Sequence, residues 1–84
     1  MDFKETVFIF DKARNRFTDE VLEREPRRKG HKLTIFFVEV GSSLVFSYLD
    51  GSGSVYTSTV RDFSFDGKEL IVDTLNSVYT FKIA

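Results

Sequence analysis

The chain has no cysteine among its 84 residues. Disulfides, thiolate nucleophiles and sulfur-bound zinc are therefore excluded, and the lack suits a reducing compartment. Long apolar runs are missing too. The stretch "IFFV" at 35–38 is four residues long, against the ~20 that a membrane-spanning helix needs. The opening "MDFKETVFIFDK" carries early acids, a short apolar run and no cleavage pattern, which argues against a signal peptide. These absences lead us to expect a soluble, cytoplasmic protein with no membrane partner.

Catalytic patterns are equally scarce. The one histidine, His31, follows a basic stretch and Gly30, with no second ligand at metal-binding spacing. It reads as a solvated loop residue, and no metal or other cofactor is expected. No serine sits in a Gly-x-Ser-x-Gly setting. "DGSGSVYTST" offers Asp50, Ser52 and Ser54 at alternating positions, but Val55 stands where a calcium loop needs glycine and Arg61 where it needs an acid. As a dinucleotide fingerprint it fails at Tyr56. A carboxylate pair such as Asp62 beside Asp73 becomes interesting only in a pocket that raises one of the two pKa values. We therefore expect no enzyme activity.

What is present is aromatic mass and β patterning. Ten phenylalanines and three tyrosines supply large buried areas, and the length supports a single domain over 1–84. "ETVFIFD" (5–11) is a strand with Val7 and Ile9 on one face and Phe8 and Phe10 on the other; "KARNR" then breaks the pattern. "FTDEVLERE" (17–25) is the one helix candidate. Thr18 can cap it, Phe17 and Leu22 can staple it, Glu20 can pair with Arg24, and Pro26 ends it. A strand is the second choice there. "KLTIFFVEV" (32–40) reads as the strongest strand, and "LVFSYL" (44–49), "DGSGS" (50–54) and "VYTSTV" (55–60) read as strand, loop and strand.

The last third allows a register. A two-residue turn at Asp66-Gly67 sets Phe63 opposite Leu70 and Phe65 opposite Lys68. Upstream of Arg61 the alternation fails, so a bulge is expected near Val60 and Arg61. A second turn at Asn76-Ser77, with asparagine accepting positive φ, sets Val72 opposite Phe81 and gathers Leu70, Val72, Tyr79, Phe81 and Ile83 on one face. The fold expected is mostly β: a small antiparallel barrel or twisted sheet of about five to seven strands, with one short helix near 18–25. Its core should hold Val7, Ile9, Leu33, Ile35, Phe37, Phe46, Phe63, Leu70, Val72, Tyr79 and Phe81.

Charge is uneven along the chain. Residues 12–32 carry eight Lys and Arg against four acids, whereas from residue 33 onward three bases face six acids. Within "REPRRKGHK" (24–32), Arg27, Arg28, Lys29 and Lys32 could contact the phosphates of a single-stranded nucleic acid. The chain as a whole is not basic, with a net charge of −1. The favoured reading is therefore a non-catalytic protein-interaction module, a small adaptor or inhibitor that binds another protein or forms a homo-oligomer. Nucleic-acid binding through loop 24–32, by those four cations, is the alternative.

Overall fold

A computed structural model describes residues 1–84. Six antiparallel strands, β1 (Val7–Asn15), β2 (Lys32–Ile35), β3 (Ser43–Tyr48), β4 (Ser54–Phe65), β5 (Glu69–Thr74) and β6 (Ser77–Ile83), close into a barrel in sequence order. One short helix, α1 (Arg24–Arg28), lies against β1. Closure pairs β6 with β1, setting Phe81 opposite Phe10 and Tyr79 opposite Ala13. A mostly β, single-helix architecture is thus what the patterning predicts.

Inside, rings meet edge to face. Phe46 lies 5.2 Å from Phe81 and 6.0 Å from Tyr79, while Phe3 meets Phe8 at 5.3 Å and Phe65 at 5.0 Å. The expected core residues Leu33, Ile35, Phe46, Leu70, Val72, Tyr79 and Phe81 are all buried. Val7, Ile9, Phe37 and Phe63 are not. On β1 it is Phe8 and Phe10 that point inward, opposite Leu33 and Phe81. A bulge at Asp11 then switches the inward set from even to odd positions, so Ala13 is buried and the strand continues through "KARN" instead of breaking there.

The long strand expected over 32–40 stops at Ile35. Beyond it the chain leaves β3 and pairs with the N-terminal residues: Phe3 donates to the Phe36 carbonyl and Val38 to that of Met1. Val38 is buried by this change of partner, and Phe37 is left exposed. Phe63 packs against the core but stays half-buried.

Both C-terminal hairpins form, each offset from the expected register. Leu70 faces Phe65 and Phe81, and Val72 faces Phe63 and Tyr79. Relative to the expected pairs each register slips by two residues, which preserves every inward-facing side chain because strand side chains alternate with a period of two. Asp66 Oδ1 lengthens the first turn by accepting the Lys68 and Glu69 amides at 2.8 and 2.7 Å. The second turn is Leu75-Asn76, not Asn76-Ser77, and neither residue has positive φ. Thr74 Oγ1 closes it by accepting the Ser77 amide at 3.1 Å and donating to the Ser77 carbonyl. The predicted irregularity on β4 is present, with the register shifting between Val60 and Asp62.

The helix sits elsewhere than expected. Asn15 Oδ1 takes the Phe17 and Thr18 amides, Asp19 adopts a φ of 61°, and Leu22 donates to the Ala13 carbonyl. Val21 bridges to Arg14, so residues 20–22 run as an extended strip along β1, close to the second-choice strand. Phe17 is exposed and makes no staple with Leu22. The helical turn begins only at Arg24 and includes Pro26, whose missing N–H is harmless in a first turn.

Candidate protein-interaction face

The inward residues of β2 and β3 (Leu33, Ile35, Phe46 and Tyr48) leave Thr34 and Ser47 paired on the outside. Phe36, the residue that follows β2, lines one shallow depression with Thr34, Val45 and Ser47. Val45 in turn pairs with Tyr56 on β4. Alternation therefore forces an apolar row, Phe36–Val45–Tyr56, across the outer wall of the barrel. Phe36 is 72% exposed and Tyr56 76%, so nothing in the chain covers them. Exposed apolar side chains are common singly; a contiguous row across neighbouring strands is less so. Nothing local in the sequence places Tyr56 beside Val45, because the partner of a strand residue depends on register.

The four basic residues make different contacts. Arg28 stacks its guanidinium 4.1 Å from the Tyr48 ring and donates to Ser52 Oγ at 2.8 Å. Lys29 lies 3.7 Å from Asp11, which Lys82 flanks at the same distance. Arg27 pairs with Glu23 at 3.6 Å in solvent, and Lys32 stands exposed beside Ile9. His31 is half-buried, its ring 6.0 Å from that of Tyr48 and its Nδ1 3.1 Å from the Arg28 carbonyl. Burial pushes the Tyr48 phenol up, and its hydroxyl has no partner. The segment is thus tied to the barrel through Arg28 and Lys29.

The same segment holds Glu25, one of the four acids of residues 12–32. Glu25 is buried; its carboxylate takes the Arg14 guanidinium at 2.7 and 3.3 Å and the Ala13 amide at 3.0 Å. The hydrogen bond from Arg14 holds the Glu25 carboxyl below its ordinary range. No periodic signal marks Glu25, because its partner is 11 residues away on another element.

Comparison with known proteins finds no matching family model, no similar curated protein and no similar solved structure. Asp62 and Asp73 do pair across β4 and β5, but the Asp73 carboxylate is engaged by Arg16 at 3.4 Å. The larger depressions lie at Asp2–Thr6 and around Gly67–Glu69 with Lys82 and Ile83, each lined by a single apolar residue. No helix is long and apolar enough to cross a membrane.

Proposed function

We propose that this barrel is a non-catalytic protein-interaction module whose contact surface is the outer wall of β2, β3 and β4. The observation that supports it is the Phe36–Val45–Tyr56 row: Val45 and Tyr56 are paired by register, Phe36 shares a depression with Val45, and all three side chains are exposed. Exposed aromatics on a preformed scaffold lose little conformational freedom when a partner packs on them, so they suit anchoring. Closure of the barrel pairs every strand on both sides. Binding through side chains on the wall is therefore favoured over adding a strand at an edge.

A photo-crosslinking amino acid at position 56 tests this in cells. A specific protein adduct is expected there, lost in Phe36→Ser, with none from position 64, which is exposed on β4 beside Ile71. Equal labelling from both positions, or none from either, defeats the proposal. Nucleic-acid binding through 24–32 draws less support, since Arg28 and Lys29 are engaged within the chain. That alternative predicts affinity for single strands falling steeply with salt, with a slope flattened by neutralising Arg27, Arg28 and Lys29 together. We expect titrations at low and high salt to detect no such binding.

A further inference from the structure

We infer that the occupant of the Phe36–Val45–Tyr56 row is a second copy of this chain, packed face to face across a two-fold axis; this rests on the interaction reading above. Charge is the first argument. The chain carries 12 Lys and Arg and 13 Asp and Glu, yet Thr34, Phe36, Val45, Ser47, Ser54 and Tyr56 form an outer surface without a charged side chain. A two-fold interface sets one patch against itself, so a charge near the axis meets its own like image at a cost. These six residues avoid that cost near the axis; Lys32, the next outward residue along β2, lies beyond them.

The hydroxyls are the second argument. Ser47 Oγ and Ser54 Oγ hydrogen-bond to each other at 2.7 Å. Losing water therefore costs this pair less than it would cost two unpartnered hydroxyls. The hydroxyls of the wall are thus partly satisfied for burial.

Register sets the geometry. With the axis running along β3 through Val45, the two Val45 side chains meet, and Phe36 of each copy lies over Tyr56 of the other. Two identical aromatic contacts result, between sheets packed as in a β-sandwich. Together the three side chains offer on the order of 350 Å² per copy, against roughly 800 Å² for a standard interface. The dimer is consequently weak and reversible.

Sedimentation velocity from about 5 to about 500 μM covers the range in which so small an interface dissociates. The unmodified chain is expected to shift from monomer to dimer as concentration rises. Phe36→Ser and Tyr56→Ser should each move the midpoint upward by about tenfold or more. Ile71→Ser, a change on the outer face of β5, should leave it in place. All three side chains are exposed, so unchanged thermal midpoints will verify folding. A monomer throughout the range overturns the second copy as occupant, and a dimer indifferent to both wall variants overturns this face. If the chain is monomeric, the position-56 crosslink separates the two ideas. A Phe36-dependent adduct with another protein leaves the interaction reading standing, and no adduct removes both.

Discussion

Phe46→Ala is expected to lower the unfolding free energy by about 3–5 kcal/mol, the usual loss when a buried phenylalanine ring is removed without collapse of its site. Phe46 is 1% exposed and its ring meets those of Phe10, Tyr48, Tyr79 and Phe81 at centroid distances of 5.2–6.1 Å. Those four rings come from three strands, β1, β3 and β6, so no single side-chain shift can refill the space. A domain of this length has a total stability of roughly 4–13 kcal/mol. The variant should therefore lose from about a quarter to all of that stability. Urea melts followed by tyrosine fluorescence will measure it. Phe46→Leu, which keeps most of the volume, should lose only about 1–2 kcal/mol and secures a reading if the alanine variant does not fold. A loss below about 1 kcal/mol for Phe46→Ala would mean that the ring array is not the core.

The second large effect is at Glu25. Glu25→Ala is expected to cost about 2–4 kcal/mol, because it strands a guanidinium beside the barrel wall and leaves a buried amide without an acceptor. Glu25→Gln should cost less, since its amide oxygen can still accept from Ala13. Replacing both partners, Arg14→Met with Glu25→Leu, should recover much of the loss, because an apolar pair needs no compensation.

The same carboxylate predicts a direction with pH. Glu25 is held low by the Arg14 hydrogen bond, Asp66 by the Glu69 and Lys68 amides, and Asp50 by hydrogen bonds from Ser52. For a depressed carboxyl the unfolded chain binds protons first as pH falls. The stabilisation is thus complete above the ordinary carboxylate range and is lost as pH drops through the depressed folded values. Urea midpoints measured between neutral pH and about pH 3 should fall on the acid side, and Glu25→Gln should flatten that fall. A midpoint that rises on acidification would contradict the assigned network.

How much could be read in advance depended on local alternation. Leu33 and Ile35, Phe46, Leu70 and Val72, and Tyr79 and Phe81 lie on strands where apolar residues alternate with polar ones or lie on one turn-defined face, and all seven point inward. The bulge at Arg61 was visible because the alternation breaks there. "VFIF" carried no such information, since four apolar residues in a row look alike from either side. The pairing of Phe8 with Leu33 and of Phe10 with Phe81 decided which face is inside.

Registers were legible only up to a slip of two residues, because the hydrophobic pattern repeats at that period. Side-chain capping by Asp66 and Thr74 chose among the equivalent slips. Local helix signals over 17–25 lost to backbone pairing of residues 20–22 with β1, a long-range term that no local window contains. Composition and alternation by themselves determined that this chain makes an antiparallel β structure around aromatic rings. Only the closed barrel decided that Glu25 is buried, that Arg28 and Lys29 are held within the chain, and that Phe36, Val45 and Tyr56 share one wall. Burial and adjacency of that kind arise from strands far apart in the chain, and local pattern does not encode them.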